Sequence, residues 1–124
     1  MLKEKKKILA VVDDLLFTVK IIDAAKRVGL EAEFLKSEED LLDKAKEKPL
    51  LIILDLNANS VNALKMITKL KSGELKSISL IGFLSHVQGE LKLKAQEAGA
   101  NMVMARSAFS QNLQQILKRH AGVI

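Results

Sequence analysis

The chain has 124 residues, 48% of them apolar, and a formal charge of +5, which is enough to bury one core and gives no sign of a second domain. It lacks cysteine, which excludes disulfides and thiolate metal sites and suits the cytoplasm. The basic start, Met1 to Lys7, is followed by an apolar stretch that meets Asp13 and Asp14 too soon for a signal-peptide core or a membrane span. The expectation is therefore a cytoplasmic protein with no membrane segment, a single domain over residues 1–124 with no room for an effector domain.

The run from Lys7 to Val12 is apolar after its first residue and ends in two carboxylates, Asp13 and Asp14; it reads as a buried strand. Phe17, Ile21, Ala25 and Val28 then recur at helical spacing from Leu15 to Val28, with Gly29 placed as a C-cap. Glu31 to Leu35 alternates polar and apolar residues, as a short strand near an edge does. Ser37, followed by Glu38, Glu39 and Asp40, predicts a capped helix that runs to about Glu47 before Pro49.

Leu50 to Leu54 is purely apolar and stops at Asp55, the pattern of a central parallel strand covered on both faces. The turn-prone stretch Asn57-Ala58-Asn59-Ser60 follows, and Ala63, Leu64, Ile67 and Leu70 mark a helix that ends near Gly73. A fourth strand, Ile78 to Leu84, contains Gly82 and leads to Ser85 and His86; a glycine there marks a bulge or the close approach of another group. Leu91, Ala95 and Ala98 predict a weaker helix that stops at Gly99, and Asn101 to Ala105 a fifth strand that ends at Arg106 and Ser107. Phe109, Leu113, Ile116 and Leu117 line the last helix, with Lys118 and Arg119 in its final turn. Five strands alternating with five helices predict an α/β three-layer sandwich.

In open parallel sheets ligands bind beyond the carboxyl ends of the strands. An aspartate at that end of the central strand either simply opens a loop or belongs to a site. Asp13, Asp14 and Asp55 end two strands, and such carboxylates cannot all remain ionised in one crevice without compensation. Their oxygens suit Mg²⁺. A carboxylate beside Mg²⁺ can attack a phosphoryl donor, and Arg106 and Ser85, which close the remaining two strands, could supply the charge and the hydroxyl that phosphoryl transfer uses.

With these residues in place, the chain resembles the receiver domain of two-component response regulators. The landmarks are Val11-Val12-Asp13-Asp14, Leu54-Asp55-Leu56-Asn57, Ser85 and Ala98-Gly99-Ala100, and they span essentially the whole sequence. The resemblance implies a flavodoxin-like fold, a five-stranded parallel sheet in the order 2-1-3-4-5. It further implies Asp13 and Asp14 as metal-binding acids, Asp55 as phosphoacceptor and metal ligand, Asn57 as a backbone-carbonyl ligand of Mg²⁺, and Ser85 and Arg106 as contacts of the phosphoryl group. Such a domain takes its phosphoryl group from a histidine kinase or a phosphotransfer protein, is not itself classed as an enzyme, and signals by protein contact.

Several positions depart from the family pattern. Receiver domains carry a lysine followed by proline where this chain has Arg106-Ser107, and arginine brings a planar fork in place of a compact ammonium. A cis bond to Ser107 would cost about 3 kcal/mol, unlike the family's cis proline. Val103 stands at the aromatic switch position, His86 at a position that is normally small, Ala58-Asn59 where methionine-proline is common, and Ala63 in place of a glycine. These departures favour an alternative, a pseudo-receiver that keeps the fold and signals without phosphorylation; the acidic trio opposes it. Nucleic-acid binding would rest on positive charge alone, since the chain has no Trp, Tyr or RNP-type motif.

Individual residues also have plainer roles open to them. Asp14 could simply cap the first helix, Arg106 could be a surface charge, and Ser85 could cap the fourth helix. The charge itself is uneven. Residues 1–55 carry eleven Lys/Arg against twelve Asp/Glu, net −1, whereas residues 56–124 carry nine against three, net +6. By the family resemblance, the fourth helix, fifth strand and fifth helix form the docking face, so an acidic partner is expected there.

Overall fold

The three most apolar runs of the sequence become the middle of the sheet, because only a position covered on both sides keeps such residues from water. In the computed structural model, which describes residues 6–85 and 89–122, the elements in chain order are β1 (Lys6–Val11), α1 (Leu15–Arg27), β2 (Leu30–Phe34), α2 (Glu38–Ala45), β3 (Leu51–Asp55), α3 (Ala63–Leu70), β4 (Ser79–Leu84), α4 (Gly89–Ala98), β5 (Met102–Ala105) and α5 (Arg106–Ala121). The strands are parallel and ordered β2-β1-β3-β4-β5.

Side chains alternate across the sheet and split the core in two. Ile8, Ala10, Ile53 and Phe83 pack with Phe17 and Ile21 of α1 and Phe109 and Leu113 of α5. Leu9, Val11, Ile52, Leu54 and Val103 pack on the other face with Leu41 of α2, Met66 and Ile67 of α3 and Ala95 of α4. Every residue of β3 is buried, as its sequence requires.

Register then sets the site. Val11 pairs with Leu54, Asp55 with Phe83, and Leu84 with Ala105. Asp13, Asp55, Ser85 and Arg106 therefore all emerge from the same edge of the sheet.

The structure also corrects boundaries. The second helix stops at Ala45, not near Glu47, and the chain turns there through Lys48 at φ 57° before Pro49. The third helix ends at Leu70, and a 3₁₀ turn over Gly73–Leu75, not visible in the periodicity, follows it. Arg106 is the first residue of α5. Gly82 marks a close approach, since a Cβ there would lie 3.0 Å from Leu56 Cδ2. Among the described residues no helix is long and apolar enough to cross a membrane.

Candidate functional site

Asp55 ends β3 and is 7% exposed, the only polar or charged residue that is buried among the described ones. The chain turns sharply after it. The Asn57 amide donates to Asp55 Oδ1 at 2.9 Å and the Ala58 amide to the Asp55 carbonyl at 3.0 Å. Burial pushes the Asp55 carboxyl pKa up from its ordinary value, and the Asp13 and Asp14 charges push the same way; the Asn57 amide and the Arg106 charge oppose them.

Asp14 fills two roles at once. Its Oδ1 accepts from the amides of Leu16 at 2.9 Å and Phe17 at 3.3 Å, capping α1. Its Oδ2 accepts from Arg106 Nη2 in an ion pair whose side chains are 40% and 29% exposed. The cap and the ion pair thus coexist in one carboxylate. The guanidinium lies over the Phe17 ring, 4.7 Å from its centroid, and 5.9 Å from that of Phe83, a cation–π arrangement that fixes its plane. Phe17, Phe83 and Phe109 in turn pack on one another with centroids 4.9–6.0 Å apart.

Asp13 is taken up by the loop after β3. Its Oδ2 accepts from the Asn59 amide at 2.6 Å and its Oδ1 from Ser60 Oγ at 3.1 Å. Across the crevice the Ser85 amide donates to Asn57 Oδ1 at 2.9 Å, so the Asn57 side chain ties the loop after β3 to the end of β4. The structure therefore gathers Asp13, Asp14, Asp55, Asn57, Ser85 and Arg106 at one end of the sheet. Arg106, however, is bonded to Asp14, and Asn57 contributes its amide and side-chain oxygen. His86 lies outside the described residues.

Sequence reasoning missed Asn59 and Ser60 as the holders of Asp13, and Phe17 and Phe83 as the platform of Arg106. The aromatic pair left a signal. The chain has only four phenylalanines, and Phe17 stands three residues after the second strand-end acid, Asp14.

No family profile and no curated protein matches the sequence. Solved structures do match. The phosphorylated cyanobacterial phytochrome response regulator RcpA is 22% identical, with 94% of this chain and 91% of its own covered and a TM-score of 0.77. The receiver domain of a sensor histidine kinase from Pseudomonas aeruginosa PAO1, with a magnesium ion coordinated in its active-site cleft, is 19% identical over 96% and 99% at a TM-score of 0.78. An orphan response regulator of H. pylori is 18% identical over 92% of each chain at 0.74.

This chain has the CheY-like receiver fold. The strand order agrees with that architecture. Whether the crevice suits Mg²⁺ is a matter of donors and space. The donors are of the right kind: carboxylate oxygens are the hard ligands Mg²⁺ takes, and burial first, with the Asp13 and Asp14 charges after it, raises the Asp55 pKa. The spacing is another matter, since among the described residues no three acidic or histidine side chains stand together so as to hold an ion. Asp13 and Asp14 are bonded elsewhere.

Proposed function

We propose that the chain is a stand-alone receiver module that accepts a phosphoryl group on Asp55 within a cytoplasmic two-component phosphorelay and signals by protein contact. The observation that carries this reading is Asp55 itself, the one buried carboxylate among the described residues, at the carboxyl end of the central strand and within reach of the Asp13 and Asp14 charges. The donor is a phosphohistidine of a kinase or phosphotransfer protein. Asp55 Oδ1 is held by the Asn57 amide, which leaves Oδ2 to attack phosphorus; the P–O bond forms as the P–N bond breaks, its electron pair returning to the imidazole. Asp13 and Asp14 are bonded to Asn59, Ser60 and Arg106 and would have to release these partners to hold Mg²⁺, which when bound would supply positive charge to the phosphoryl oxygens. Ser85, fixed through its amide to Asn57, stands at the neighbouring strand end to meet them.

Incubation with a small phosphodonor and Mg²⁺, followed by intact-mass measurement, tests the reading. Wild type should gain the mass of one phosphoryl group and Asp55→Asn should not. Wild type that gains none points to the second reading, a pseudo-receiver that acts without phosphorylation. That reading is favoured by the Arg106 ion pair with Asp14 and by the burial of Val103, 6% exposed, where a switch residue would move.

In either reading the partner face is α4, β5 and α5. Lys92, Lys118 and Arg119 are exposed there beside the exposed apolar residues Leu93 and Met102, a combination suited to a partner with an acidic rim and an apolar centre.

A further inference from the structure

We propose that the outer face of α1 is a self-association surface, on which a second copy of this chain packs antiparallel about a two-fold axis near Val19. Four of the six large apolar residues exposed among the described ones stand on this one helix: Leu15 at 75%, Leu16 at 83%, Val19 at 56% and Ile22 at 37%. A helix turns about 100° per residue, so these four share one side, opposite Phe17, Ile21, Ala24 and Ala25, which face the core. The helix is thus apolar on both sides, the pattern of one that is covered all round. A contiguous apolar face left in water marks a contact surface. The inference is independent of phosphorylation at Asp55.

The charges at the two ends of the same helix select the occupant. Asp13 and Asp14 stand at its N-terminal end, and Lys26 and Arg27 in its last turn. Arg27 pairs with Asp23 at 3.1 Å, whereas Lys26 has no ion pair among the described residues. A two-fold axis makes a surface meet itself. With Val19 opposite Val19, Leu16 of one copy meets Ile22 of the other. Lys26 then falls within a residue or two of the other copy's Asp13 and Asp14, about 3 Å along the axis, which a lysine side chain spans. Each end of the contact joins an ammonium to an acidic helix start, and the two helix dipoles run in opposite senses. A parallel arrangement would set acids on acids and bases on bases. Eight residues of α1 are exposed, against about 20–30 per side in a standard interface, so the dimer is of the weak, concentration-dependent class.

Equilibrium sedimentation from about 10 µM to about 1 mM, the range of weak protein contacts, tests the inference. Wild type should move from monomer toward dimer mass as concentration rises. Val19→Glu sets two carboxylates on the axis and should weaken the association at least about tenfold. Lys26→Glu should weaken it as well, more at low salt than at high. Leu93→Glu, at a similarly exposed apolar position on α4, should leave it unchanged. Because the chain has no cysteine, Val19→Cys under mild oxidation should give a covalent dimer and Leu93→Cys should not. Both positions are exposed, so neither change disturbs the core. A dimer that survives Val19→Glu, or equal cross-linking at the two positions, overturns the inference. So does a wild type that stays monomeric at about 1 mM, a result that leaves the outer face of α1 to a different protein.

Discussion

Asp55 is held at a cost to the fold. A carboxyl whose folded pKa is raised binds its proton more tightly in the folded state. Its stabilising contribution is complete below the ordinary value of 3.8 and is lost as pH rises through the folded value. At about pH 7 the ionised side chain therefore weakens the fold. Asp55→Asn keeps the acceptor for the Asn57 amide and removes the charge, so it should melt higher than wild type at neutral pH, and the difference should close as the pH is lowered toward about 4. Melting curves of both proteins across that range decide it. Val103 gives a second prediction at the same scale. Its side chain is buried among the residues packed under α3 and α4, so Val103→Tyr overfills the core and should lower stability by about 1–3 kcal/mol in denaturant unfolding, without creating a movable ring. That Asp13, Asp55, Ser85 and Arg106 share one end of the sheet was legible, because each follows an apolar run. Who bonds whom was not legible: Arg106 meets Asp14 across 92 residues and Asn59 meets Asp13 across 46, and side-chain rotamers and loop course decide such pairings.

Strands β1, β3 and β4 were legible because burial on both faces leaves no polar residue in their middles, and α1 and α5 because their buried residues recur at helical spacing. Helix ends were less so. The 3₁₀ turn at Gly73–Leu75 buries no residue and so leaves no apolar period to read. The glycine within β4 was legible as a marker but not in its meaning, since what approaches it is Leu56, the residue after Asp55. Gly82 pairs with Leu54 and Val103 on its two sides, and its missing Cβ leaves room for Leu56 Cγ and both Cδ atoms within 3.0–3.3 Å. Gly82→Ala should therefore cost about 1–3 kcal/mol. Because Leu56 must give way, the amide resonances of Asp55, Leu56 and Asn57 should shift more than those of β2, which a two-dimensional amide spectrum would show.

The charge imbalance between the two halves of the sequence becomes a surface in the folded molecule. Lys94 pairs with Glu90 at 3.1 Å along α4, which offsets part of the charge, while Lys92, Lys118 and Arg119 stay exposed. Exposed charges act on encounter and are screened over a Debye length of about 8 Å at physiological salt. Lys92→Glu with Lys94→Glu should reduce capture of acidic partners from a cell extract at low salt, and the deficit should shrink at high salt. Lys26→Glu with Lys36→Glu, exposed on the other half of the chain, should leave capture unchanged. Equal retention by both double mutants would show that the face has no docking role.

The ion pair between Arg106 and Asp14 also bears on how the protein comes into being. One member lies at the start of the first helix and the other at the start of the last, so nothing short of the nearly complete chain can assemble the crevice. A nascent chain emerging from the ribosome, or a fragment left by proteolysis, displays Asp55 with its neighbours still unrestrained. Closure of the crevice by this pair thus waits for the last helix to dock.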